Sequence, residues 1–145
     1  MKLITLLAIS AVMYILFGLG MLIAGAELLR VWGLVLDRNG ALVAQVLGSA
    51  LIGLAVINSS GRNAPEQNAL RPILFGNFMY NAVGFFVLVV STVSGVTNAL
   101  GWSIVAIHIV LALGFGYFAV IRGVHWLMAP SQTMLCRSIL HSKPW

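Results

Sequence analysis

Three observations predict an all-helical membrane protein with four crossings. Four long apolar stretches fill most of the 145 residues. The charged side chains fall almost entirely between those stretches. The composition, 61% hydrophobic and 8% charged with a mean hydropathy of +1.04, lies far from that of a soluble domain, which carries about a quarter charged residues. A bilayer core about 30 Å thick takes roughly 20 apolar residues per helical crossing, and each stretch is of that order.

The first helix is expected over 3–26. Lys2, the apolar run after it and Ala24-Gly25-Ala26 imitate a secretory signal with its cleavage site. The apolar part, Leu3 to Ile23, exceeds the roughly 7–15 residues of a signal h-region, so it reads as a retained helix. Continuing that helix through Glu27 to Gly40 gives a rod of about 57 Å, too long for one crossing. Gly25 is the expected break. A short interfacial helix follows, with Trp32 at headgroup level, and Asp37-Arg38-Asn39-Gly40 reads as a turn.

The second helix is expected over 41–57. Asn58 to Arg71 is the most polar stretch of the chain and reads as an aqueous loop. Pro72 suits a helix first turn, placing the third helix over 73–93. The fourth covers 101–121, after a brief uncharged loop. These make one transmembrane domain over 1–121. Residues 122–145 read as a cytoplasmic tail of mixed polarity in which Pro130-Ser131 is expected to open a short amphipathic helix, a flexible tail being the alternative.

With four crossings, the N-terminus, the second connection and the tail share one side. They carry Lys2, Arg62, Arg71, Arg122, Arg137 and Lys143, six basic residues against Arg30 and Arg38 on the other. The positive-inside tendency then puts both termini in the cytoplasm. Trp32 and Trp102 mark one boundary and Trp126 the other. The formal charge of +5 rests on these scattered residues, so topology accounts for it and no nucleic-acid partner is expected. The single Cys136 implies no internal disulfide.

Signatures of catalysis are absent from the sequence: no H-E-x-x-H, no cysteine pair, no phosphate loop, no G-x-S-x-G. Glu27, Asp37 and Glu66 are the only carboxylates, none at mid-depth, which argues against a proton-coupled pump. We therefore expect no enzyme, no metal site and no cofactor that the sequence can specify. His108 is the strongest single candidate for chemistry, since an imidazole inside helix four is costly without a partner. It can serve as a metal or pigment ligand, touch a substrate, or hydrogen-bond a neighbouring helix, which asks least. A second histidine at its depth is missing, His125 being 17 residues away, about 25 Å along a helix.

Asn77, Tyr80 and Asn81 form an i, i+3, i+4 patch on helix three. Buried amides must find partners on other helices, so the patch is interhelical glue or the lining of a cavity shared with His108 and Gln45. Glue is the simpler reading. Contact between Asn81 and His108 is expected if helices three and four are antiparallel neighbours. Glu27 is expected to pair with Arg30 or to reach Gln45. Small residues at i, i+4 spacing, namely Ala44 with Gly48, Ser49 with Gly53, and Ala112 with Gly116, mark close-packing helix faces. Phe75, Phe78, Phe85 and Phe86 suit lipid contact.

The glycine-rich first helix (FGLGMLIAGAELL), the lateral Trp segment and helix four (GWSIVAIHIVLALGFGYF) together resemble the small DoxX-like membrane proteins of bacteria. The likeness is architectural and spans most of the chain. It implies a four-helix fold in a bacterial inner membrane, and some such proteins are small subunits of quinone-linked redox enzymes. No catalytic residue carries over. The sequence thus leads to a non-catalytic accessory or scaffolding subunit, packed against a larger redox or photosynthetic membrane assembly or against copies of itself. The alternative is a binder or transporter of a small apolar molecule, such as a quinone, in a cavity near His108 and Asn81.

Overall fold

Four antiparallel helices, in up-down-up-down order, build the protein in a computed structural model that describes residues 2–63 and 67–121. α1 is Leu3–Arg30, α2 Arg38–Gly61, α3 Gln67–Val93 and α4 Gly101–Gly116, the last running into a π-helical turn at Tyr117–Ile121. The spans Leu3–Arg30, Arg38–Gly61, Leu70–Val93 and Gly101–Val120 are each long and apolar enough to cross a membrane. No strand occurs among the described residues. The fold class is the one expected, an all-α four-helix bundle.

Apolar residues surround every helix, so the inner face is set by size and polarity instead. α1 buries Leu7, Ala11, Tyr14, Gly18, Met21 and Gly25, and α2 buries Ala44, Gly48, Leu51, Ala55 and Asn58. Both series step by 4, 3, 4, 3, the 3.5-residue repeat of left-handed supercoiled packing. Along α3 the buried rungs are Leu74, Asn77 and Asn81. On α4 they are Gly101, Val105, Ala112 and Phe115, with His108 at the rung between.

Glycine decides how closely α1 and α2 approach. A Cβ on Gly18 would stand 2.8 Å from the Gly48 carbonyl oxygen, and one on Gly48 would stand 2.7 Å from that of Gly18. Higher up, a Cβ on Gly25 would meet that of Ala44 at 3.0 Å. Ala44 and Gly48 therefore lie where α1 and α2 approach most closely. Ser49 and Gly53 do not: both face outward, and nothing lies within 4 Å of a Cβ at Gly53. Ala112 is buried, and Gly116 lies under the Phe78 ring, 3.1 Å from its would-be Cβ.

Several boundaries differ from expectation, each for a physical reason. α1 breaks at Ala24 (φ −140°, ψ 43°), one residue before Gly25, and stays helical to Arg30. A Cβ on Gly20 would lie 3.0 Å from the Leu28 side chain. An i, i+8 pair is about 12 Å apart along a straight helix, so the segment after the kink folds back across the end of α1. Asp37 to Gly40 is the start of α2, with Asp37 Oδ1 accepting from the Gly40 N–H at 2.7 Å as an N-cap. The polar stretch is mostly helical: α2 continues through Asn58 to Gly61, and α3 begins at Gln67 with Pro72 inside it. Asn58 can be helical and buried because other side chains satisfy its amide. The tail expected over 122–145, with His125, Trp126, Cys136 and His141, lies outside the described residues.

Candidate functional site

The bundle is two hairpins, α1/α2 and α3/α4, pinched together at one end, clasped through their connections at the other and parted between. At the pinched end an amide pair locks α2 to α3. Asn58 Nδ2 donates to Asn77 Oδ1 at 3.1 Å, and Asn77 Nδ2 donates back to Asn58 Oδ1 at 2.7 Å. Asn58 Nδ2 also donates to Ser10 Oγ of α1 at 2.9 Å, while Asn77 Nδ2 donates to the Ile73 carbonyl at 2.8 Å. Ser10 Oγ donates to the Leu7 carbonyl. All three side chains are at most 1% exposed. Around them Leu6, Leu7, Leu74, Leu111, Phe115 and Phe118 form the solid core.

Above this layer the hairpins part around a cavity of about 690 Å³. Such a volume suits a drug-sized ligand, within the range of about 300–1,000 Å³ of small-molecule sites. Its walls are overwhelmingly apolar, among them Met21, Leu51, Val87 and Ile104. Met79, Val83 and Val87 of α3 and Leu47 of α2 line it while also being exposed, so the cavity opens on the side of the bundle, at α2 and α3. At its upper end Trp32 and Thr97 close it in part. There the connections are clasped: the Asn98 N–H donates to the Trp32 carbonyl and Asn98 Nδ2 to the Val31 carbonyl, both at 2.9 Å. Trp32 Nε1 donates to Ser103 Oγ at 3.4 Å. Gly33, at φ +86° and with Asn98 N 3.2 Å from its would-be Cβ, is the residue this clasp needs.

Apart from Trp32 and Thr97 at the upper end, the few polar side chains that reach the cavity gather near its floor. Tyr14, Tyr80, Asn81 and His108 all line it. Asn81 Nδ2 donates to Tyr14 Oη at 2.7 Å and to the Asn77 carbonyl at 2.8 Å. Asn81 Oδ1 is buried and has no donor. The two tyrosine rings meet edge-on with centroids 5.8 Å apart, and the Tyr80 ring lies 6.1 Å from the imidazole. His108 Nδ1 bonds the Ile104 carbonyl at 3.0 Å. A carbonyl only accepts, so the proton sits on Nδ1 and, in the neutral ring, Nε2 keeps its lone pair. The ring rests against the α3 backbone at Gly84, where a Cβ would come within 2.6 Å of Cδ2.

Of the residues singled out from the sequence, His108, Tyr80 and Asn81 come together at this cavity. Asn77 belongs to the lock below it. Asn81 and His108 share no hydrogen bond: Asn81 turns to Tyr14 across the bundle, and His108 satisfies Nδ1 on its own helix rather than a neighbour. Gln45 stands outside the group, exposed on α2. Glu27 pairs with Arg30 at 3.0 Å rather than with Gln45. Sequence reasoning missed Ser10, Tyr14, Asn58 and Gly84. Tyr14 and Ser10 carried a signal, being polar-tipped residues inside an apolar helix. Gly84 carried none, since its role is visible only once the imidazole is placed.

Among the described residues no three of His, Cys, Asp and Glu converge to hold a metal ion. Comparison with protein-family models, with curated proteins and with solved structures finds no match to this chain.

Proposed function

We propose that the protein is a membrane-embedded binder of a small, mainly apolar molecule carrying a polar group, a quinone-like shape being one that fits. The observation that carries this reading is the cavity itself: a packed bundle of this size has few voids larger than a water, and this one has polar side chains at one end. The sideways opening suits a molecule that arrives from the bilayer. By the basic-residue count the pinched end faces the cytoplasm and the clasped end the opposite side, in a bacterial inner membrane.

Saturable binding is the test. With the full chain in lipid nanodiscs, 1-naphthol should bind at one site per chain beyond its partition into empty discs. Ile104→Trp, which fills the cavity, should abolish that site while helix content is unchanged. Partitioning alone, equal in both proteins, refutes the reading.

The accessory-subunit reading has one observation in its favour. Ser49 and Gly53 leave a small-residue face of α2 pointing outward, where a further helix can approach. Purification in a mild detergent should then bring down a stoichiometric partner, and a chain that purifies alone counts against it.

A further inference from the structure

We propose that the cavity takes the two acyl tails of a diacyl membrane lipid from the leaflet at the clasped end, with the head group left outside at the rim. This rests on the binding reading above and names its ligand class. Depth is the first observation behind it. The lowest lining residues are Met13, Leu51, Met79 and Leu111, each within about one helical turn of the midpoint of its membrane-spanning helix. The highest are Trp32, Thr97 and Gly101, at the connections. Along α4, Leu111 to Gly101 is about 15 Å, half of a bilayer core about 30 Å thick. The cavity is one leaflet deep, from the middle of the bundle to its clasped end.

The opening runs the same way. Met79, Val83 and Val87 line the cavity and are exposed, one per turn of α3, so the opening is a slit about 12 Å long, parallel to the helix axis. Lipid tails in that leaflet lie along such a slit and enter by moving sideways. The volume agrees. A dry cavity of about 150 Å³ holds one benzene, so at that density this cavity holds roughly 25–30 carbons, too many for a single tail one leaflet long. Met13, Met21 and Met79, three of the six methionines, line it, and their unbranched side chains conform to a flexible chain. The floor offers a head group nothing. Asn81 Oδ1 is buried, the Cδ2–Nε2 edge of His108 lies against Gly84, and a charged head at that depth is costly. Tails gain no hydrophobic free energy on leaving hydrocarbon for an apolar cavity, so packing alone holds the lipid and a compact competitor displaces it.

Two phosphatidylcholines test this, each with one diazirine on a tail, either beside the ester or at the terminal methyl. The full chain in nanodiscs doped with either lipid is irradiated and its adducts are mapped by peptide mass spectrometry. The terminal probe should mark Met13, Met79 and Leu111, and the ester-side probe Trp32 and Thr97. 1-Naphthol should remove these adducts and leave those on Val43 and Val90. Ile104→Trp should lower the cavity adducts by about tenfold or more, while outward adducts change less than about twofold. Adducts confined to outward faces, or the reverse order of depth, overturn the inference; so does a cholesterol diazirine that marks the cavity where both phospholipids fail, which would make the ligand a rigid polycycle. If 1-naphthol still binds saturably in those cases, the binding reading stands without the inference. If it does not, both fall. Should Ile104→Trp lose helix content, the depth order and the naphthol competition in the native chain decide alone.

Discussion

Replacing the two amides of the lock singly and together yields a result that simple counting of contacts does not. Asn77→Leu removes both reciprocal bonds with Asn58. Asn58 Oδ1 is then stranded, because Ser10 Oγ already donates to the Leu7 carbonyl. Asn58→Leu does the converse, stranding Asn77 Oδ1. Each single change therefore combines lost bonds with a buried unpaired carbonyl, about 1–3 kcal/mol by the latter alone. In Asn58→Leu/Asn77→Leu both carbonyls are gone, and only an acceptor site on Ser10 loses its partner. The double variant should thus be less destabilised than the sum of the singles. Interhelical hydrogen bonds in membranes average about 0.6 kcal/mol and reach about 1.7, so two of them set a coupling of about 1–2 kcal/mol. That is about a 5- to 30-fold discrepancy in the unfolding equilibrium constant. Reversible unfolding in mixed micelles, followed by far-UV circular dichroism, measures it. Strict additivity would refute the claim that these amides are each other's main partners.

Other outcomes follow from the same geometry. Gly18→Ala should destabilise by about 1–3 kcal/mol through overpacking against α2, and Gly53→Ala, with open space at its Cβ, should be neutral or better; paired unfolding curves compare them. Gly84→Ala should push the His108 ring off α3 and weaken naphthol binding several-fold while the helix content holds, read by dialysis and circular dichroism. Asp37→Ala removes the N-cap of α2 and should cost about 1 kcal/mol. For orientation, with Cys136 replaced by Ser, Val35→Cys should react with an impermeant thiol reagent from outside intact cells, and Ser59→Cys only after lysis.

The four crossings were legible because length and apolarity alone define a span. The inner faces were harder to read. In a soluble bundle the apolar stripe marks the core, but here Val43, Val46 and Val90 face outward as readily as Leu7 and Leu51 face inward. Small and polar residues mark the interior instead: Gly18 against Gly48, and Ser10 with Asn58 and Asn77. Ala44 and Gly48 followed that rule, whereas Ser49 and Gly53, identical in pattern, turned out to face away. Asn58 was misread for a related reason. Its neighbours Ser59, Ser60 and Gly61 resemble a loop, and the bonds that make it helical come from residues 19 and 48 positions away. The floor of the cavity was half legible: His108, Tyr80 and Asn81 stood out, and Tyr14 carried a signal as a polar-tipped residue in an apolar helix, but Ile104 and Gly84 are unremarkable in sequence. The parting of the two hairpins, which makes the cavity, has no local signature at all.

Mapping where a small apolar diazirine attaches to the protein in nanodiscs tests the central claim most directly. After irradiation and peptide mass spectrometry, adducts should concentrate on the facing walls of the cavity, at Tyr14, Met79, Tyr80 and Leu111, and 1-naphthol should compete them away. Adducts spread over the outward faces, at Val43, Val46 and Val90, and untouched by competitor would mean that the protein merely dissolves such molecules at its lipid surface, contradicting the account.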